Sequence, residues 1–421
     1  MSLTAQAQRL IRNSALGLFG AQCAAAGALM AVDAVRKQRA NPPEFPISDT
    51  MEAPAGEDRV AVYGYGAHLF DDMIETIRTA KHTVFFETFI WKADPVGQRF
   101  KDALIEAADR GVDVYVVYDV FANLVVDPRF FRMPDNVHVK GHPLVQSVAF
   151  WRPRNSGRDH RKLIVVDSEV AFVGGFNIGA RYAHDWRDTH ARVTGPTVAE
   201  LENAFVAYWN LRPAHLLPNL PSWQPSSKPE LPAVQDRNWE GEIAVQRNTP
   251  RWAVYPIRNM YLEAIDRAER NIWLTTAYLI PDEDFRTALG RAADRGVDVR
   301  IIVPAQSNHV VADWLSRGFY TGLLRDGIHL YLFRNAMVHA KTATIDGIWS
   351  TIGTANLDRL SLLGNYEVNA EIRSREVASV LEKLFLTDQS NCSELDLVRW
   401  ERRGIVAKTT EVLLAPWRPL F

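Results

Sequence analysis

Histidine and lysine stand two residues apart twice in this chain, as His160 with Lys162 and His339 with Lys341. An aspartate follows each histidine by seven residues, Asp167 and Asp346. Asn177 and Asn356 come seventeen residues after their histidines, and Asp188 and Glu367 eleven after their asparagines. In that register Gly175 meets Thr354, and the whole block aligns without a gap. A single His-x-Lys pair is commonplace. Five polar positions in shared register mark a duplicated site.

The residue types suit chemistry at phosphorus. The runs LIVVD and TATID read as buried strands, and a strand turns residues i and i+2 to one face. Each histidine therefore shares a face with its lysine, a compact point charge suited to phosphate oxygens. Asn177 and Asn356 offer neutral amide donors to the same oxygens, with Thr354 beside them. Asp188 and Glu367 are acceptors able to fix the tautomer of one imidazole each. Two halves facing each other bring two imidazoles to one site, one to attack phosphorus and one to protonate the leaving alkoxide. General acid catalysis of that kind contributes roughly 10²–10⁴-fold in rate. Lysine and asparagine neutralise charge growing on the equatorial oxygens. No metal or other cofactor is expected, because a lysine beside each histidine would repel a metal ion. His184 and His190 read as surface or supporting residues. Asp167 and Asp346 close each apolar strand, where a carboxylate ties down the turn.

The elements that position these groups are repeated too. Residues 107–114 and 292–299 both read AADRGVDV. Apolar strand-like runs precede them, TVFFETFIW at 83–91 and NIWLTTAYLI at 271–280, followed by helical patterns at 100–110 and 285–295. Gly111 and Gly296 supply the turn after each helix, and β-rich runs VDVYVVYD and VDVRIIVP follow. Each half is strand–helix–strand, the pattern of a parallel sheet covered by helices, in an α/β class.

Two His-x-Lys-x4-Asp motifs, each followed by Gly-Gly or Gly-Thr, Asn and an acidic residue, resemble the phospholipase D superfamily. The resemblance runs over about 60–400. The segments GRDHRKLIVVD, GGFNIG and WRDTHARVTGP, with VHAKTATIDG, IGTANLDRLSLLGNYEVN, are similar to its bacterial cardiolipin synthase branch. The resemblance implies two duplicated phospholipase D-like α-β-α half-domains packed pseudo-symmetrically around one active site. It implies His160, Lys162, Asp167, His339, Lys341 and Asp346 as the catalytic motif residues, with one histidine as nucleophile and the other as acid; the usual N-terminal assignment makes these His160 and His339. Thr354 stands where some relatives have serine, and Gly175 lacks a hydroxyl altogether. The expected activity is transfer of a phosphatidyl group between phospholipids, for example two phosphatidylglycerols to cardiolipin plus glycerol. Hydrolysis by the same chemistry, a metal-independent nuclease and an inactive scaffold are the rival readings.

The bulk of the chain fits this organisation. Its 421 residues suit two fused half-domains, and a formal net charge of -2 does not suggest a stable nucleic-acid partner. Cys23 and Cys392 are too far apart in sequence to read as a disulfide framework, and the twelve tryptophans hint at lipid–water interfaces. Residues 13–32 carry no charge and are about long enough to span a bilayer, yet they are rich in Ala and Gly. Three readings stay open: a membrane-anchoring or monotopic helix, a signal peptide, and a soluble docking helix. The expected partners are a phospholipid substrate and the bacterial cell membrane, with the chain anchored or peripheral. The expected divisions are an apolar helix over 1–40, a linker over 41–57, a first half over 58–215, a connector over 216–240, a second half over 241–400 and a tail over 401–421. Within 122–158 a lid or channel is expected, with Trp151, Arg152 and Arg154 near its mouth.

Overall fold

The computed structural model of the chain describes residues 3–38, 43–144, 157–211, 230–234 and 241–420. Trp151, Arg152 and Arg154, and most of the expected connector, lie outside the described residues. Two large sheets carry the rest. The first runs Met51–Ala55, Asp58–Tyr65, Trp186–Thr194, Val170–Gly174, Leu163–Val166, Thr83–Thr88, Asp113–Asp119, Val137–His142. The second runs Cys392–Glu394, His329–Phe333, Asp298–Pro304, Asn271–Thr275, Thr342–Ile345, Trp349–Gly353, Glu367–Arg373, Ile243–Asn248. Read in the same direction from Asp58–Tyr65 and from Ile243–Asn248, seven strands follow one order. The duplication seen in the motifs is thus a duplication of topology.

One expectation needs correcting. The sheets are mixed, not parallel throughout. Thr83–Thr88, Asp113–Asp119 and Val137–His142 pair in parallel, as do their counterparts in the second half. The motif strands pair antiparallel on both sides. The physical reason is connection length: Leu163–Val166 and Val170–Gly174 are joined by a short turn, which permits only an antiparallel pair.

Alternation along the strands divides the apolar residues into layers. In the first sheet Val84, Phe86, Ile164, Val166 and Phe172 face the helices Gly66–Thr79 and Pro95–Asp109. Their neighbours Phe85, Leu163, Val165, Ala171 and Val173 face the other way. There they pack with Ile352, Val368, Ala370 and Ile372 of the second sheet. The halves are therefore joined by a shared apolar core, and truncating Leu163 there would cost about 2–5 kcal/mol.

The AADRGVDV repeat has a structural cause. Gly111 and Gly296 adopt φ of 90° and 88°, the left-handed region that ends a helix. The preceding arginines reach back to orphan carbonyls of a neighbouring helix. Arg110 donates to Ile77 O and Ala80 O, and Arg295 to Ile265 O, Asp266 O and Ala268 O. Helix starts repeat too: Asp94 accepts from the Gly97 N–H and Asp282 from the Phe285 N–H, each at 2.9 Å.

The helix Leu3–Gln38 lies on the second half. Gln22, Ala26 and Asp33 are buried, and Gln22 donates to Leu413 O and accepts from the Trp417 indole. Among the described residues no helix is long and apolar enough to cross a membrane. Of the three readings of residues 13–32, docking against the body is the one the packing displays.

Asp167 and Asp346 end the motif strands away from the histidines. Asp167 accepts the N–H groups of Lys81, His82 and Thr83 at 2.7–2.9 Å. Asp346 accepts those of Glu269, Arg270 and Asn271 at 2.7–3.0 Å. Each aspartate, at φ of 53° or 56°, pins the loop entering the neighbouring strand. These contacts tie the motif down, the role expected of a carboxylate that closes a strand. Asp167→Asn and Asp346→Asn should each lower unfolding free energy by about 1–3 kcal/mol in urea titrations, while the folded fraction keeps its turnover within about threefold. A loss of turnover with unchanged stability would restore a chemical role.

Candidate active site

The segments that lead into the two motifs cross between halves. Met337–Val338 adds in parallel to the start of Trp186–Thr194 in the first sheet, pairing Val338 with Arg187. Asp159 bridges to Tyr366 of the second half. The His339 N–H then donates to Arg187 O at 2.7 Å, and the His160 N–H to Tyr366 O at 3.1 Å. Gly157 makes the second crossing possible, because a Cβ there would lie 1.8 Å from Gly364 O. The residue after each accepting carbonyl is an acid, Asp188 or Glu367. Its side chain arrives beside the histidine of the opposite half.

The hydrogen bonds follow. His160 Nδ1 lies 3.0 Å from both oxygens of Glu367. His339 Nδ1 lies 2.6 Å from Asp188 Oδ2. Asp188 and Glu367 each meet an imidazole, and each serves the half it does not belong to. With Nδ1 committed to a carboxylate, Nε2 is the nitrogen left to face a substrate.

Lysine and asparagine complete the floor. Lys162 Nζ donates to His160 O at 2.5 Å, and Lys341 Nζ donates to His339 O. All four motif side chains are buried, as are Asn177 and Asn356. Asn177 Oδ1 accepts the Ile90 N–H at 3.1 Å, which fixes its amide and leaves the NH₂ as the outward group. His160 packs edge-on to Phe89, and His339 against Trp186, with ring centres 4.7 and 5.0 Å apart. The aromatic walls exclude water around the two rings and strengthen every charge inside.

Burial sets the protonation states. It lowers the His160 pKa, against the pull of Glu367, and it lowers His339 further, with Lys341 and Lys162 adding to the effect. Both rings are therefore neutral near pH 7, so the one that acts as nucleophile is ready and the other must take up a proton before it can act as an acid. Burial also brings Lys162 down to about 7 and Lys341 to about 8. Burial raises Asp188 to about 6. Glu367 is pushed up by burial too, but His160, Lys162 and the Thr354 hydroxyl outweigh this and hold it low. The two carboxylates are thus unequal partners.

Their inequality has a steric origin. Thr354 Oγ1 donates to Glu367 Oε2 at 2.5 Å, so this hydroxyl orients the carboxylate and does not face phosphate as expected. At the matching position of the first half, a Cβ on Gly175 would sit 2.1 Å from Asp188 Oδ1. Gly175 is therefore space for a carboxylate, not a missing hydroxyl. The shorter Asp188 takes its support from the Thr189 N–H at 2.7 Å.

Sequence reasoning missed the residues that hold the crossing in place. Buried Arg187 pairs with Asp388 of the second half at 2.7 Å and also donates to Thr189 Oγ1. Asn365 Oδ1 accepts the Arg158 N–H at 2.9 Å. Arg187 in WRD stands one residue before an orienting acid and Asn365 in NYE two residues before the other, which was the available signal. His190, two residues beyond Asp188, is buried with neither ring nitrogen bonded, and burial lowers its pKa to about 3. His184 lies apart from this centre, its Nδ1 3.2 Å from the Tyr65 hydroxyl. Among the described residues no cluster of three or more His, Cys, Asp or Glu is arranged to hold a metal. Gly175→Ala should displace Asp188 by about 1 Å or more and reduce kcat by about 10²-fold, with circular dichroism unchanged. Full turnover in that variant would mean His339 does not need its carboxylate.

Comparison with known proteins agrees with this geometry. The family model described as "Cardiolipin synthase, PLD-like domain" matches residues 73–209 and again 261–389. The chain is 30% identical over 364 residues to cardiolipin synthase 1 of Bacillus anthracis, covering 85% of this chain and 71% of that one. It is 32% identical over 349 residues to the major cardiolipin synthase of Bacillus subtilis (strain 168), covering 79% and 69%. The crystal structure of phosphatidylserine synthase from Haemophilus influenzae Rd KW20 superposes with a TM-score of 0.66 over 90% of this chain and 95% of that one, at 15% identity, which shows a shared fold. Two matched domains, each supplying one histidine and the other's carboxylate, place the chain in the cardiolipin synthase family of phospholipase D-like proteins.

Proposed function

We propose that the chain is a phosphatidyltransferase that uses one phospholipid as donor and another as acceptor, forming cardiolipin and glycerol from two phosphatidylglycerols. The observation that carries the reading is the pair of crossed His–carboxylate contacts at one centre, with two lysines beside them. His160 attacks the donor phosphorus through Nε2. His339, having taken up a proton on Nε2, gives it to the departing glycerol oxygen. The acceptor hydroxyl then returns its proton to His339 and displaces His160. Lys162, Lys341, Asn177 and Asn356 hold the non-bridging oxygens. Fixed donors in a water-poor site need no rearrangement as charge builds.

The chain works on a membrane in this reading, as a peripheral protein. The helix Leu3–Gln38 keeps Leu16, Phe19, Met30 and Val32 exposed while docked. An uncharged outward face of this kind suits the headgroup boundary of a bilayer.

The direct test is incubation of purified chain with phosphatidylglycerol vesicles, with cardiolipin and glycerol as the expected products. Phosphatidic acid alone would favour the hydrolase, and metal-independent cleavage of DNA without lipid turnover would overturn the lipid reading. His160→Ala and His339→Ala should each lower turnover by at least about 10³-fold, and a phosphoenzyme should be trapped in His339→Ala but not in His160→Ala. Phosphoenzyme in His160→Ala would reverse the two roles.

The pH profile follows from the buried cations. The lysines act as cations, so their lowered pKa values bring the loss of charge down to about 7 for Lys162 and about 8 for Lys341. The kcat/KM should therefore fall progressively as pH rises through about 7 and then about 8. It should also fall on the acid side as pH drops through the lowered pKa of His160, where protonation of that ring removes the nucleophile. A profile flat between these limbs and beyond both would contradict the assignment.

A further inference from the structure

The catalytic centre is nearly two-fold symmetric, but its surroundings are not. Beside it lies a cleft of about 580 Å³, lined by Lys92, Asp94, Val125, Arg181, Trp186 and Asn308 among others. Trp186 forms its wall and packs on its other side against His339, ring centre to ring centre at 5.0 Å. The cleft is therefore one indole away from the histidine that handles the leaving and entering oxygens.

Two cations face it, and neither has an ion-pair partner among the described residues. Lys92 runs close over Gly179, where a Cβ would meet its Cγ at 2.9 Å. Arg181 is exposed on the short helix Ala180–His184. The two acids in the lining are engaged by backbone N–H groups, although Asp127 stays exposed. Asp94 accepts the Gly97 and Ala180 N–H groups at 2.9 and 2.7 Å, and Asp127 accepts the Arg129 N–H at 2.8 Å. Val125 in the lining is 85% exposed, and Phe121 and Leu124 just before it in sequence are 52% and 58% exposed. Cations at the floor with exposed hydrocarbon at the lip suit an anionic amphiphile.

The second half has no equivalent. Thr88 and Thr276 are matched, each donating to the carbonyl two residues on. Four residues after them stand Lys92 in one half and Ile280 in the other. Ile280 is buried with Ala312, Leu315 and Leu414. The cationic cleft thus exists on one side only, so its ligand is something the symmetric centre does not already hold.

We propose that this cleft is the acceptor subsite, and that Lys92 and Arg181 bind the unreacting phosphodiester of the second lipid. The inference rests on the phosphatidyltransferase reading and names how that site chooses a lipid over water. With its own phosphate held there, the acceptor presents its glycerol hydroxyl past Trp186 to His339. The hydroxyl oxygen forms the new P–O bond, the P–N bond to His160 breaks with its electron pair returning to the ring, and the hydroxyl proton passes to His339. Lys92 and Arg181 are specificity residues and touch no reacting atom.

The experiment measures products from phosphatidylglycerol vesicles with the full chain. The ratio of cardiolipin to phosphatidic acid should fall about tenfold in the double variant Lys92→Gln/Arg181→Gln. Lys92→Arg alone, which keeps the charge, should hold the ratio within about twofold. With ethanol as a neutral acceptor, the ratio of phosphatidylethanol to phosphatidic acid should not fall alongside it. A misfolded variant would lower all products together and leave the ratios alone, so folding and specificity are separable. An unchanged cardiolipin ratio in the double variant, or an equal fall with ethanol, overturns the subsite while the transferase reading stands. Wild-type chain that yields only phosphatidic acid overturns the transferase reading itself and the subsite with it.

Discussion

Each catalytic imidazole in this protein is held by a carboxylate from the other half of the chain. His160 depends on Glu367 and His339 on Asp188. A buried imidazole without a partner would rotate, and a buried carboxylate without one carries a desolvation cost of several kcal/mol. Neither half can satisfy its own pair. The apolar layer between the sheets, the ion pair of Arg187 with Asp388 and the close passage of Gly157 by Gly364 all serve to bring the halves to one register. Separation of the halves would strand four titratable groups at once. This makes the halves one cooperative unit rather than two domains with a groove between them.

The same crossing explains the order of elements. An antiparallel motif hairpin flanked by the strand that bears the acid allows the pre-motif segment to leave its own sheet. That segment then adds to the partner sheet, where Val338 pairs with Arg187 and Asp159 with Tyr366. Backbone hydrogen bonds at this join fix the depth of each histidine before any side chain is chosen. The chemistry is accordingly set by main-chain register, and the side chains supply charge and protons.

Much of this was legible in the sequence. Polar residues at matched spacing revealed the duplicated site, and the AADRGVDV repeat revealed the duplicated framework, because helix ends and tight turns impose local chemistry on glycine, arginine and aspartate. The crossing was not legible. Spacing along a chain says that Asp188 follows His160 by a fixed interval, and it invites the inference that they belong together. Which histidine an acid reaches is decided by how two sheets pack, and no local pattern carries that. Gly175 was misread for a related reason: an absent hydroxyl looks like a lost donor until the neighbouring strand is seen to fill the space with Asp188. Thr354 was misassigned to phosphate because the oxygen it serves, on Glu367, lies thirteen residues away in sequence. Asp167 and Asp346 were named by motif yet given their correct role by position, since a carboxylate closing a strand meets backbone N–H groups first.

Duplication gives a symmetric centre, but the reaction is not symmetric. One ring must bond to phosphorus while the other only moves a proton, and two identical environments would give no preference between them. The departures from symmetry all concern this choice. Thr354 supports Glu367 and keeps it ionised beside His160, where a cationic phosphoimidazole would be stabilised by a firm negative charge. Asp188, raised to about 6, is the more readily protonated acid and lies beside His339. A softer carboxylate suits a ring that must take up and release a proton in every half-reaction. The cleft with Lys92 and Arg181 lies on the His339 side, where the proposed mechanism has both the leaving and the entering oxygen pass. Each asymmetry taken alone is a small change of side chain. Together they place the bond-forming ring on the side of the stronger charge and the proton-carrying ring on the side of the open door.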